Sequence, residues 1–404
     1  MQALQLDKVQ SYFDKTSGRP LNICFDDHEI DIDGVHVFLK SVPLLKDEVT
    51  GDIYFPNRTK QTIAYFVEEA HKKGEQSVKI YRREEHAPRY SYATNFNFLY
   101  SDVDYEYIPG LTRPWDEGYL TPVLFNLSVL NKYTHHPEYR LDLFSNTYGT
   151  IWCGDEWKID FGINPNRRVI MWLGDLAKLP ESEIYYLRSE NVESDHNIHS
   201  QFYDAQIEVE FAELSSLQMA IMERRELNDI VREAFGWSLF HLEGEVDNII
   251  ANLNSPIFWQ DKYVGPTIES LNRIFCESVN VKALKEDIKK GQSELDLKSL
   301  GSLKLLEIWL STRLGLSNPS ALMCPFFVLY DFRILTCHLS SVETKNKTLS
   351  AINNRLELSK ENTLNEPIYA ALVYKLLLSI KGIKNAVESQ RSPKEDILKA
   401  KLDE

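Results

Sequence analysis

Arg333-Ile334-Leu335-Thr336-Cys337-His338 places a guanidinium and an imidazole five positions apart, in a stretch whose apolar spacing predicts a helix over Ala321 to Leu339. An Arg can grip a phosphate with two parallel N–H donors, and a His titrating near neutrality can exchange a proton with a 2′-hydroxyl or a leaving oxygen. The pair could therefore cleave RNA without a metal. Plainer accounts stand beside this one. In a chain with 18 arginines and 10 histidines, about one Arg-His pairing at such spacings arises by chance. On a regular helix an i to i+5 pair is also offset by about 140°. Arg333 could instead pair with a carboxylate such as Asp331, leaving His338 inert at the edge of a core.

Further polar groups fall into patterns that chemistry uses. Asp142 precedes Asp155-Glu156-Trp157-Lys158, where Glu156, Lys158 and Asp160 alternate as on an exposed strand face. His196 and His199 lie three apart beside Asp195, and His135 and His136 are adjacent; with no third and fourth ligand in view they read as polar loop histidines. Glu29-x-Asp31-x-Asp33-Gly34 copies the opening of a calcium loop, but Lys40 stands where a bidentate Glu is required. No metal or other cofactor is expected. The five cysteines are scattered with no Cys-x-x-Cys pair, which fits a reducing cytosol rather than a disulfide scaffold or a thiolate zinc site. Phosphate-cradling Gly loops, Gly-x-Ser-x-Gly and His-Glu-x-x-His are absent from the sequence, which disfavours nucleotide hydrolysis, α/β-hydrolase chemistry and zinc proteolysis.

On Arg333 and His338, within about 150 residues of helical content, the chain resembles the HEPN superfamily, helical bundles whose ribonuclease members carry an Arg, four to six residues, then a His. The resemblance implies that Arg333 holds phosphate, that His338 acts as acid or base, and that two copies pair as a homodimer. Ile334 stands where that family often has a polar residue. Asp142, Glu156 and Lys158 resemble the restriction-endonuclease-like nucleases, which would imply a metal held by carboxylates and a water oriented by Lys158. Trp172-Leu173-Gly174-Asp175-Leu176, Ser194-Asp195-His196, Phe202-Tyr203, Thr121-Pro122-Val123 and Thr147-Tyr148-Gly149 look like an uncharacterised bacterial family of defence-type gene neighbourhoods. That resemblance brings no active site, and Gly174 and Asp175 read first as packing and capping residues.

The elements that must position these groups follow from patterning. Of the 20 tyrosines, ten fall between Tyr81 and Tyr148, among short aromatic and β-branched runs that read as strands. Ile30, Ile32, Val35 and Val37 alternate around Asp33-Gly34 as a hairpin over His28 to Leu39. A helix over Thr59 to Gly74 follows, then strands at Val78 to Arg82, Ile151 to Phe161 and Val169 to Leu173, and a short helix from Pro180 to Arg188. Trp115-Asp116-Glu117-Gly118 reads as half-buried sheet aromatics or a partner surface. After residue 200 the spacing turns helical: Phe211 to Phe235, Thr267 to Ser278, Leu297 to Leu314, Ala321 to Leu339 and Pro367 to Ala386, with a charged tail from Glu388 to Glu404. The pattern predicts an α+β protein: a mostly antiparallel sheet domain over 1–200, for sensing or docking, and an all-helical bundle over 201–404.

With 404 residues at 43% hydrophobic and 26% charged, the chain can bury cores without staples. No secretory signal is apparent, and the longest apolar run, Ala321 to Tyr330, is about half of what a membrane span needs. A cytoplasmic protein without a membrane is expected. The net charge of −15 divides as −10 over residues 1 to 200 and −5 over 201 to 404. Broad binding to nucleic acid is disfavoured, so RNA would have to be met locally in the helical half. Two leading functions result: a defence or toxin-type protein that cleaves or binds RNA, and a noncatalytic subunit of a defence complex whose acidic face takes a basic protein partner. Metal-dependent DNA cleavage is a third.

Overall fold

In a computed structural model that describes residues 4–6, 13–14, 16–81, 97–106, 108, 118–211, 213–292 and 294–390, the chain divides into two units, Met1–Glu213 and Leu214–Glu404. The division falls past the change of texture near residue 200, because Phe202 and Tyr203 are buried in a core of the first unit. Arg82, Trp115 to Glu117 and the tail beyond residue 390 lie outside the described residues.

The first unit is sheet-rich and, but for one strand pair, antiparallel. β1 (Asn22–Cys24) pairs with a later strand, while β2 (His28–Ile32) and β3 (Val35–Lys40) form the expected hairpin, with Asp33 and Gly34 both at positive φ in the turn. β4 (Leu44–Lys46) joins β1 to β5 (Ile53–Tyr54). α1 (Asn57–Lys73) presents Ile63, Val67 and Ala70 inward and ends on left-handed Gly74. The chain then returns as β6 (Ser77–Tyr81), parallel to β3. α2 (Asp102–Glu106) precedes the larger sheet, ordered β12-β7-β11-β10-β9-β8 and antiparallel throughout. Its members are β7 (Pro122–Asn126), β8 (Tyr139–Leu143), β9 (Tyr148–Cys153), β10 (Trp157–Ile163), β11 (Arg168–Trp172) and β12 (Asn191–Val192). Between them run α3 (Leu130–His135), α4 (Leu173–Leu176) and α5 (Glu181–Glu190). The strand expected over Ile151 to Phe161 is two strands: Gly154 at positive φ opens a turn that folds β10 back on β9.

Strand alternation gives this sheet two working faces. Leu124, Ile170 and Trp172 share one face and pack with Leu21, Ile23, Leu45, Phe202 and Tyr203. Tyr139 and Trp157 stand on the other, both edge-on to Tyr133 of α3. α6 (Gln201–Tyr203) runs into a π-helical turn at Asp204–Glu208 that ends on Val209 in the left-handed region.

The second unit is entirely helical in its named elements: α7 (Ser216–Phe235), α8 (Glu243–Ile250), α9 (Asp261–Asn272) continuing into a π turn at Arg273–Glu277, α10 (Val281–Gly291), α11 (Ser302–Thr312), α12 (Pro319–Cys337), α13 (Val342–Leu356) and α14 (Asn365–Glu388). Helical spacing assigns Phe211 and Leu214 to the first of these. The helix starts later, at Ser216, because Ser215 and Gln218 close a reciprocal capping box there. α12 is apolar over most of its length and packs against α9, α11, α13 and α14. By length and composition alone it is the one described helix that could cross a membrane.

Candidate functional site

Arg333 and His338 are placed differently from one another. α9 and α12 run side by side, with Gly265 against Thr336 and Cys337 at one end and the Cys276 thiol near the Phe326 carbonyl at the other. Between these points Arg333 faces Glu269, donating from Nε to Oε2 and from Nη2 to Oε1 at 3.4 Å. Both side chains are about three-quarters covered. The Arg333 hydrogen bond holds the Glu269 carboxyl below the usual carboxylate range, against a smaller upward push from burial. His338, expected inside the helix, is the residue after its last turn and is exposed. Asp331, the carboxylate expected beside Arg333, instead accepts from Arg355 at 2.6 Å.

The proposed metal set is dispersed among separate structural roles. Asp142 on β8 accepts from its neighbour Arg140 at 2.9 Å. Glu156 lies in the β9–β10 turn rather than on the strand that carries Lys158. The register aligns Arg140, Trp152 and Lys158, and both cations lie over the indole, at 5.2 and 5.0 Å from its centre. Among the described residues, no group of three or more His, Cys, Asp or Glu is arranged to hold a metal ion.

Of the histidines read as polar loop residues, His135 ends α3 and His136 follows it, both exposed, whereas His196 and His199 are tied into the fold. His199 is 6% exposed, its Nε2 lies 2.8 Å from the Leu21 carbonyl, and burial pushes its pKa down. His196 sits at φ 59°, in the left-handed region, with its ring edge-on to Phe25. Its Nδ1 donates at 2.8 Å to Asp104, a fully buried carboxylate from α2 that also accepts the Ser194 hydroxyl. A buried carboxylate on Nδ1 fixes the tautomer and the orientation of the imidazole. Loop 193–200 is held by Asp195, which takes the Asn164 and Asn166 amides and the Asn197 N–H. The Asp104–His196 pair spans 92 residues, and the adjacency of Ser194, Asp195 and His196 gives no sign of it.

Two further polar clusters escape the sequence. Glu183, buried on α5, accepts from Lys132, Tyr133 and Tyr139 at 2.7 to 2.9 Å. Burial raises its pKa, but these donors outweigh it and the net shift is downward. Fully buried Arg224 reaches Glu243 at 3.0 and 3.2 Å and the Ile274 carbonyl at 3.0 Å, its guanidinium 4.4 Å from the Phe240 ring centre. A tyrosine in a strand-rich run and an arginine in a helix look alike on paper whether buried or not. In the Trp172-Leu173-Gly174-Asp175 stretch Gly174 has the packing role, with the Tyr119 ring lying on it, whereas Asp175 lies inside α4 and, instead of capping it, accepts from the Tyr119 hydroxyl and Lys178.

No protein-family model, curated protein or solved structure matches this chain.

Proposed function

We propose that the protein is a noncatalytic interaction subunit whose acidic, sheet-rich unit docks a basic protein partner. The observation that carries this reading is the charge of the two units. Residues 1–213 hold 35 acidic and 21 basic side chains, a net of −14, whereas residues 214–404 hold 25 and 24, a net of −1. A field of one sign on one unit steers an oppositely charged partner and repels nucleic acid and anionic lipid. The bond from Arg333 to Glu269 supports the same reading, because the donors that would hold a phosphate already hold a carboxylate. The defence-type setting rests on the sequence resemblance.

RNA cleavage by Arg333 and His338 in a homodimer requires Glu269 to release Arg333. One experiment separates the readings. The purified full chain is incubated with total RNA beside the Arg333→Ala, His338→Ala double variant, and proteins that co-purify from producing cells are compared at about 0.1 and 0.5 M salt. The expected result is intact RNA with either protein and a basic companion released at the higher salt, where the screening length is about half as long. RNA cleavage that disappears in the double variant would replace this reading with the ribonuclease one.

A further inference from the structure

The end of the acidic unit carries a feature that the docking reading leaves unassigned. Ile207-Glu208-Val209-Glu210-Phe211 alternates apolar and acidic side chains, and Glu213 and Leu214 follow. Val209 is 82% exposed, Phe211 100% and Leu214 48%. Residues 209–211 and 213–215 belong to no helix or strand.

The segment is pinned at both ends. Upstream, Tyr203 is buried in the core and donates to Glu208 at 2.9 Å, and the Glu210 N–H donates to the Asp204 carbonyl at 3.0 Å. Downstream, the Ser215 capping box starts α7. Between them Val209, β-branched, takes φ 59°, a conformation that costs such a residue and turns the chain out of the π turn. From residue 201 to 213 there are four carboxylates, Asp204, Glu208, Glu210 and Glu213, and no Lys or Arg. Their crowding is felt at Asp204, whose carboxyl is raised to about 6 by burial, then by Glu210 and Glu208.

We propose that residues 208–211 are the docking element for the partner, with Phe211 as the anchor that fills an apolar pocket rimmed by Lys and Arg on a basic protein. A fully exposed aromatic flanked by carboxylates meets both needs of such a pocket: apolar area at its centre and charge at its rim. RNA and anionic lipid share the segment's sign and are repelled by it.

This inference rests on the docking reading, and the test separates the two. A photoreactive benzophenone amino acid replaces Phe211 in the full chain expressed in its producing cells, with the same replacement at Tyr185 in the acidic unit and Leu364 in the helical unit as controls. Phe211→Ala and the Glu210→Lys, Glu213→Lys double variant are compared with the unaltered chain for recovery of the same partner. The expected result is one basic protein crosslinked from position 211 and from neither control, with recovery reduced at least tenfold in both variants and an unchanged thermal melt. Crosslinks confined to the chain itself, or to lipid or an acidic protein, overturn the proposal. A basic partner recovered undiminished with Phe211→Ala overturns it while the docking reading stands. No basic partner with the unaltered chain overturns both.

Discussion

At the α9–α12 seam the Glu269 carboxylate takes two donors of one guanidinium, so Arg333 acts as a tie between helices. The pair is a quarter exposed, and solvent screening limits its contribution to about 1 kcal/mol. The folded-state pKa of Glu269 is depressed, so the stability it lends is present above the ordinary Glu value and is lost as pH falls through the folded one. Arg333→Ala should therefore lower the stability of the helical unit by about 1 kcal/mol at pH 7. In urea titrations the gap from the unaltered chain should narrow as the pH is taken below about 4. A gap that stays constant would show that Arg333 acts through packing alone. Chemistry-bearing residue types were legible in the sequence; their partners were not. Asp331 was the nearer carboxylate along the chain, yet Glu269, 64 residues away, is the one the fold delivers.

Elements were legible where periodicity was strong. The β2–β3 hairpin, α1 with its Gly74 stop, and α14 follow the patterns that predict them. The spacing of Val281, Leu284 and Ile288 carries α10 on only three apolar residues, polar residues dilute the apolar stripe of α13, and Ile151 to Phe161 looks continuous because its turn is only Gly154 to Glu156. Gly174 shows how an element is held by a feature invisible in one dimension. A Cβ there would lie 2.2 Å from Tyr119 Cδ2, and Tyr119 cannot swing away without leaving Asp175 and Lys178. Gly174→Ala should cost the acidic unit about 2 kcal/mol. The same substitution in a Tyr119→Ala background should cost little. A double-mutant cycle on thermal melts checks this, and additivity would mean that the ring is not what the methyl meets.

Across the whole molecule, −14 on one unit and −1 on the other separate two electrostatic regimes. Like charges repel in the acidic unit and salt screens them, whereas the helical unit has no comparable excess. Urea unfolding should therefore show two transitions, with about 0.5 M sodium chloride strengthening the acidic unit by about 1 kcal/mol and leaving the other nearly unmoved. A single transition that responds as a whole to salt would mean that the units unfold together. Composition and periodicity by themselves determined the α+β class, the mostly antiparallel first part, the helical second part and the acidic bias, because each is a sum over local residue choices. Only the tertiary structure decided that Arg333 meets Glu269, that Asp104 meets His196, and that Phe211 stands outside every core. Those outcomes depend on which distant segments pack together, and side-chain spacing along the chain carries no record of that.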